Sequence, residues 1–220
     1  MKILVVNPNT SSSMTERLRR ELENVRAVDT QLTVINPLEG PLAIETSDDE
    51  ARAIPSLLAL LAEEAPRHDG ALIACFSDPG LDAARERVAI PVVGLMESSV
   101  QAAAMLGRFT ILTSRRARVP DKMAHVARLG LSARLASVRP LEMGVLEMDA
   151  QPGVAHERIL EVGSAAVRGD GAQVIVLGCA GLAGHAASVG AALGVPVVDP
   201  GPVALATAEM LVRLAKWGRA

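Results

Sequence analysis

Two cysteines are the residues of this chain whose type and position suit acid–base chemistry. Cys75 ends the apolar segment ALIAC, and Cys179 ends the segment VIVLGC. Turn residues follow both, so each thiol is expected at the carboxyl end of a buried strand, the edge where open α/β sheets bind ligands. A helix amino terminus lowers the pKa of a thiol from about 8.5 toward neutrality, which lets it serve as base or acid.

The spacing of the two cysteines indicates an internal repeat. ALIACFSDPG is followed by IPVVGL, and QVIVLGCAGL is followed by VPVVDP. Cys75 and Cys179 are 104 positions apart, and Pro91 and Pro196 are 105 positions apart. A single cysteine after an apolar strand is usually a core residue, but two cysteines at matching turns favour a shared function.

That function is predicted to be proton exchange at a stereocentre. Racemisation needs a base on one face of the carbon and an acid on the other, and two identical groups can exchange these roles. Thiols suit a carbon that is already acidified, and they need neither a metal nor an organic cofactor. The pair Cys75 and Cys179 is therefore the predicted catalytic pair, with no cofactor and no metal.

Residues close to these turns are the candidates for binding substrate. The loop NPNTSSS after the first strand offers Asn9 and Thr10, although Ser11–Ser13 also fit plain helix capping. Thr113 and Ser114 occupy the equivalent turn in the second half. Residues beside the two thiols complete the predicted set: Phe76, Ser77, Gly178, Ala180 and Gly181.

Two helix starts are also predicted from capping signals. Asp78 with Pro79 is typical of an N-cap followed by the first helical residue, which would place Cys75 next to a helix amino terminus. In GPLAIETSDDE, Ser47 or Asp48 is expected to cap the following helix.

The elements around these residues are predicted from short apolar runs alternating with amphipathic stretches, the pattern of an α/β protein with parallel strands. Strands are expected at residues 2–6, 31–35, 70–75, 91–95, 109–113, 134–138, 174–177 and 196–198. Helices are expected at residues 13–24, 48–67, 82–88, 100–106, 121–129, 154–168, 180–192 and 203–217.

The repeat predicts two pseudo-symmetric α/β lobes, each a mostly parallel sheet covered by helices, with the active site in the cleft between them. The expected division is 1–98 for the first lobe and 99–201 for the second, with residues 202–220 packing back on the first lobe.

Composition narrows the class of partner. The 22 Lys+Arg and 25 Asp+Glu give a formal net charge of −3 without a basic block, and aromatic residues are only 1%. Nucleic acid is therefore an unsuitable partner, because basic patches and stacking rings are lacking. No uninterrupted apolar run reaches the length of a membrane helix. We expect a cytoplasmic homo-oligomer that acts on a small molecule.

The motifs VVNPNTS, GPLAIET, ACFSDPGLDAARE, PVVGLMES, TSRRARVP and VLGCAGLAG resemble the aspartate/glutamate/hydantoin racemase superfamily, and within it the hydantoin racemase branch. The resemblance spans nearly the whole chain. It implies two α/β lobes and a catalytic pair at Cys75 and Cys179.

The resemblance also bears on the substrate. Amino-acid racemases of the superfamily carry an Asn-Thr pair after the first cysteine and a Thr after the second, whereas this chain has Phe76-Ser77 and Ala180. This difference favours 5-monosubstituted hydantoins over free amino acids. The alternatives are allantoin, or the reactions of the related maleate isomerases and arylmalonate decarboxylases. A non-catalytic binding protein of the same fold is a further alternative.

Overall fold

The computed structural model describes residues 1–217, except for the side chains of Ala180 and Trp217. The chain divides into two compact units. The first contains Met1–Leu95 and the C-terminal segment from Gly201 onward, and the second contains Met96–Pro200.

The first unit is built on a four-stranded parallel sheet with strand order β2-β1-β3-β4. Its strands are β1 (Lys2–Val6), β2 (Gln31–Ile35), β3 (Gly70–Ile73) and β4 (Val92–Gly94). Its helices are α1 (Ser12–Glu23), α2 (Ser47–Glu64) and α3 (Leu81–Arg87), and α4 (Leu95–Leu106) begins at its last residue. The apolar strands form because helices remove them from water, and β1 from Ile3 to Val6 is wholly buried.

The C-terminal helix α9 (Pro200–Trp217) is tied to the first unit by polar contacts. Glu209 accepts hydrogen bonds from the Thr30 hydroxyl at 2.6 Å and from the Ala27 N–H at 3.0 Å. Glu209 is buried, so these bonds satisfy a carboxylate that would otherwise be costly to remove from water.

The second unit repeats this architecture, with strand order β6-β5-β7-β8 and parallel pairing throughout. Its strands are β5 (Phe109–Thr113), β6 (Leu135–Pro140), β7 (Val174–Leu177) and β8 (Val197–Val198). Its helices are the remainder of α4, then α5 (Val119–Arg128), α6 (Val145–Ala150), α7 (Pro152–Ala165) and α8 (Ala186–Leu193). The predicted α/β class and the two helix-covered parallel sheets are confirmed.

Several predicted helix boundaries were wrong. Thr46, rather than Ser47 or Asp48, caps α2, because its hydroxyl accepts from the Asp49 N–H while the Asp49 carboxylate accepts from the Thr46 N–H. Helix α4 begins at Leu95, five residues before the predicted start at Val100. Residues 180–192 are not one helix, since a short 3₁₀ turn at Ala180–Leu182 is separated from α8 by Gly184 with φ of 83°.

Candidate active site

Cys75 lies where the chain leaves the carboxyl end of β3. Val6 of β1 is paired with Ile73 of β3, and the next N–H, that of Ala74, donates to the Val6 carbonyl at 2.8 Å. This bond fixes the position of Cys75, which is half-buried. Its sulfur lies 3.3 Å from the Ser77 hydroxyl oxygen, within hydrogen-bonding distance.

The turn after Cys75 is not the helix start that the sequence predicted. The Asp78 N–H donates to the Cys75 carbonyl at 3.0 Å, and Asp78 has a left-handed φ of 49°. Helix α3 begins only at Leu81, after Gly80 with φ of 66°. Asp78 is therefore not an N-cap residue, and Pro79 is not the first residue of a helix. Phe76, a predicted substrate contact, is buried.

The loop after β1 reaches the same edge of the sheet, since β1 and β3 are neighbours. Asn9 is buried, and its Oδ1 accepts from the Ser11 N–H at 2.9 Å and from Asn7 Nδ2 at 2.8 Å. The Thr10 N–H donates to the Pro41 carbonyl at 3.0 Å. Ser11 caps α1 by accepting from the Met14 N–H, so the capping prediction at this loop is confirmed.

Cys179 has the same relation to the second sheet. Leu112 of β5 is paired with Leu177 of β7, and the Gly178 N–H donates to the Leu112 carbonyl at 2.7 Å. Cys179 is buried, with 6% of its surface exposed. The Gly181 N–H donates to its sulfur at 3.4 Å, and the Leu182 N–H donates to its carbonyl at 3.0 Å.

Close packing beside Cys179 requires glycine at position 178 and leaves little room for a side chain at Gly181. A Cβ on Gly178 would lie 2.5 Å from the Leu112 carbonyl oxygen, and a Cβ on Gly181 would lie 3.3 Å from the Val145 carbonyl oxygen. The predicted contact of the Ala180 side chain lies outside the described residues.

Thr113 and Ser114 form the turn after β5, at the same edge as Cys179. Both are buried, and their carbonyls accept hydrogen bonds from the Leu141 N–H at 2.8 Å and the Met143 N–H at 3.2 Å. Backbone hydrogen bonds therefore hold this turn in place. The substrate contacts predicted for the two side chains remain a prediction.

The two cysteines thus hold equivalent positions in their own units. In each unit, the N–H of the residue before the cysteine donates a hydrogen bond to the first strand. Ala74 donates to the Val6 carbonyl of β1, and Gly178 donates to the Leu112 carbonyl of β5. Each cysteine lies two residues beyond the last paired residue of the third strand, Ile73 in one sheet and Leu177 in the other. The structure places one thiol at the carboxyl edge of each sheet.

Asp199 is a residue beside this edge that the sequence analysis missed. It follows β8, and its Oδ2 accepts from the Gly184 N–H at 2.9 Å, within the segment that follows Cys179. The repeat could have revealed this residue, because aligning IPVVGL with VPVVDP places Asp199 at the position of Gly94, at the end of the fourth strand.

A histidine pair lies between α7 and the start of α8. The Nδ1 atoms of His156 and His185 are 3.2 Å apart. Burial, followed by the nearby charge of His156, lowers the pKa of His185. In the part of the chain that is described, no three His, Cys, Asp or Glu side chains converge as a metal site would require, and no helix is long and apolar enough to cross a membrane.

Two repeated parallel α/β units, each with one thiol at the carboxyl edge of its sheet, define the class of this protein. The chain belongs to the Asp/Glu/Hydantoin racemase family, whose model matches residues 3–208. It is therefore an isomerase of the racemase type.

Relatives of known name cover nearly the whole chain. The hydantoin racemase of Paenarthrobacter aurescens is 40% identical over 97% of this chain and 92% of its own length. The hydantoin racemase of Pseudomonas sp. strain NS671 is 39% identical over 98% of this chain and 88% of its own length. The structure of allantoin racemase from Klebsiella pneumoniae is 34% identical, with a TM-score of 0.94, and the match covers 98% of this chain and 89% of that chain.

Proposed function

We propose that this protein racemises 5-monosubstituted hydantoins, with Cys75 and Cys179 as the two proton-transfer groups. The observation that carries the proposal is the equivalent placement of the two thiols, each fixed by the same backbone hydrogen bond in its own sheet: Ala74 to Val6, and Gly178 to Leu112. A repeat that preserves a reactive side chain in both copies suits a reaction that needs two like groups.

The proposed reaction moves one proton off the ring carbon and returns one to its other face. One cysteine acts as thiolate and removes the C5 proton, and the electron pair passes into the adjacent ring carbonyl as an enolate. The other cysteine, as thiol, donates its proton to the opposite face of C5. The two sulfurs then have exchanged protonation states, which prepares the enzyme for the opposite enantiomer.

The residues beside the thiols support a ring substrate. Phe76 and Ser77 follow Cys75, and Ala180 follows Cys179, so the first turn lacks the amide and the second turn lacks the hydroxyl that the resemblance associates with an amino-acid carboxylate. The C5 proton of a hydantoin is acidified by the neighbouring ring carbonyl, which lowers the barrier to removal by a thiolate. High identity to named hydantoin racemases also supports this substrate class.

Binding of the ring is proposed to use the polar groups of the two sheet edges. Asn9, Thr10 and Ser77 belong to the first unit, and Thr113 and Ser114 belong to the second.

The decisive experiment follows one enantiomer of a 5-substituted hydantoin in D₂O. We expect L-5-benzylhydantoin to lose optical rotation while deuterium enters at C5. Cys75→Ser and Cys179→Ser should each reduce racemisation to the rate of the double variant, which measures the spontaneous background. Full activity in either single variant would refute the two-thiol mechanism.

Parallel substrates distinguish the competing reactions. Allantoin carries the same ring with a ureido substituent, and a structure of an allantoin racemase resembles this chain. Exchange with allantoin but with no other 5-substituted hydantoin would narrow the substrate to the hydantoin that carries the ureido substituent. Release of carbon dioxide from an arylmalonate, without exchange at any hydantoin, would replace racemisation by decarboxylation.

We also propose that the chain forms a homo-oligomer. Val28, Leu38 and Met105 are 97%, 96% and 84% exposed, and burial of these apolar side chains in a contact between copies would be favourable. Light scattering after size-exclusion chromatography should give a mass above the 23.0 kDa of one chain. A monomer at micromolar concentration would contradict this proposal.

A further inference from the structure

The carboxylate of Asp78 fills a space that exists only because residue 94 is glycine. A Cβ on Gly94 would lie 2.4 Å from the Asp78 carboxyl carbon and 2.5–2.6 Å from its two oxygens. Gly94 ends β4, where it is paired with Ile73 of β3, and α4 begins at the next residue. The side chain of Asp78 therefore links the turn after Cys75 to the end of the neighbouring strand.

The backbone of Asp78 is held in an unfavourable conformation. Its φ of 49° lies in the left-handed region, which few residues with a Cβ adopt, although aspartate does so more often than most. Asp78 is only 6% exposed, and its N–H donates to the carbonyl of Cys75 at 3.0 Å. Strained backbone persists where its surroundings fix it, and here the surroundings are those of a candidate catalytic turn.

The second unit also joins the segment after its cysteine to the end of its fourth strand through a carboxylate, here by a hydrogen bond to a backbone N–H. Asp199, which aligns with Gly94 in the repeat, follows β8 and precedes α9. Its carboxylate accepts from the N–H of Gly184 at 2.9 Å, in the turn after Cys179. In one unit the carboxylate lies on the turn and glycine ends the strand. In the other, the carboxylate follows the strand and accepts from the N–H of Gly184, five residues after Cys179.

We propose that Asp78 and Asp199 are positioning residues, each of which holds the turn after one cysteine against the end of the fourth strand of its sheet. This inference rests on the proposed function, since it assigns Cys75 and Cys179 to proton transfer. Neither carboxylate exchanges a proton with the substrate. Each keeps its thiol in place, and its negative charge favours the protonated thiol over the thiolate.

The local nature of this role is tested by alkylation of one thiol at a time. The Cys179→Ser background leaves Cys75 as the sole thiol, and the Cys75→Ser background leaves Cys179. With Cys75 alone, Asp78→Asn should lower the pH midpoint of iodoacetamide labelling by at least about half a unit, because a nearby negative charge is lost. Asp199→Asn should do the same to Cys179.

The exchanged combinations are the matched controls. Asp78→Asn should leave the midpoint of Cys179 unchanged, and Asp199→Asn should leave that of Cys75 unchanged. The proposal would be overturned if Asp78→Asn left the labelling midpoint of Cys75 unchanged and Asp199→Asn left that of Cys179 unchanged. It would also be overturned if one substitution shifted the midpoints of both thiols equally. Labelling does not require racemase activity, so this result is separable from failure of the hydantoin assay.

A steric substitution tests the placement of Asp78 independently of its charge. Gly94→Ala puts a methyl group where the carboxylate lies and should lower kcat about 10- to 100-fold, because small displacements of reacting groups are costly. Asp78→Gly accepts the left-handed φ and removes the carboxylate. The double variant Asp78→Gly/Gly94→Ala should therefore be no slower than Asp78→Gly alone.

Additive losses in the double variant would show that the two residues act separately and would overturn the proposal. Gly163→Ala in α7 is the control for a crowded glycine, since its Cβ would lie 2.8 Å from the end of the Leu193 side chain. The end of the Leu193 side chain can move aside, so that variant should keep the kcat of the wild type.

Discussion

Cys75 and Cys179 occupy equivalent positions at their two sheet edges, yet their sulfur atoms have different hydrogen-bond partners. The sulfur of Cys75 lies 3.3 Å from the Ser77 hydroxyl, which can donate or accept. The sulfur of Cys179 accepts from the Gly181 backbone N–H at 3.4 Å, and an N–H can only donate. The environment of Cys75 therefore adapts to either protonation state, whereas that of Cys179 includes a fixed donor.

Ser77→Ala should weaken stabilisation of the Cys75 thiolate. In the Cys179→Ser background, we expect the pH midpoint of iodoacetamide labelling to rise by about 0.5–1 unit, because a donor to the charged sulfur is lost. The exposed Ser188→Ala in α8 is the matched control and should leave the midpoint unchanged. Equal midpoints for Ser77→Ala and its parent would show that the hydroxyl does not donate to the thiolate.

Gly178→Ala should disrupt the pairing that places Cys179. The added methyl group would meet the Leu112 carbonyl oxygen at 2.5 Å, and backbone in a central strand cannot move without loss of the β5–β7 hydrogen bonds. We expect a loss of more than about 2 kcal/mol in the free energy of unfolding, measured with urea, together with loss of racemisation.

Gly153→Ala is the matched control for that experiment. Nothing lies within 4 Å of its added Cβ, and Gly153 is in the first turn of α7. The substitution should be neutral or should stabilise the protein by up to about 1 kcal/mol, because alanine favours helix. If Gly178→Ala behaved like Gly153→Ala, the close approach to Leu112 would not determine the site.

The sheet order was not predicted, but the strands were, because buried parallel strands are short apolar runs that local sequence reveals. Four strands, including Lys2–Val6 and Phe109–Thr113, have the predicted bounds. Helix starts were less accurate, since they depend on tertiary contacts. The expected division between residues 98 and 99 falls at Ser98 and Ser99, and both are buried within α4.

Asp78 shows why the site was only partly predictable. Asp-Pro is a strong local signal for a helix start. In the structure, however, the Asp78 carboxylate packs against Gly94, sixteen positions away in sequence, and this contact accompanies a turn in place of a helix start. Helix α6 was missed altogether, since six residues between Gly144 and Gln151 are too few for a clear helical period. The positions of the cysteines were predictable because each follows directly from the strand before it.

Asp170→Asn should lower the free energy of unfolding at neutral pH and should make that free energy less sensitive to acid. The carboxylate accepts from Arg139 at 2.6 and 2.8 Å and from Ser137, and these bonds, led by those from Arg139, lower the pKa of Asp170 to about 2. A lowered carboxylate pKa contributes stability above the unfolded value of 3.8, and that stability is lost as the pH falls toward 2.

We expect Asp170→Asn to cost about 1–2 kcal/mol in the free energy of unfolding at pH 7, a range that allows for solvent screening of a partly exposed pair. The loss of stability between pH 4 and about 2 should be smaller in the variant. An unchanged acid profile in Asp170→Asn would contradict the assignment.

His185→Gln tests the histidine pair near the Cys179 turn. Burial and the charge of His156 lower the pKa of His185, so the unfolded chain binds this proton more readily than the folded chain does. Stability from this residue is therefore complete above the unfolded pKa of 6.5 and is lost as the pH falls through the range below it. One such proton changes the free energy of unfolding by at most about 1.4 kcal/mol per pH unit.

Urea unfolding between pH 5 and 8 should show a smaller pH slope for His185→Gln than for the wild type below pH 6.5. Because His185 lies six positions after Cys179, protonation of the close pair at 3.2 Å would repel α7 from the segment that carries the thiol. Equal slopes in His185→Gln and the wild type would exclude that coupling between acid pH and the Cys179 turn.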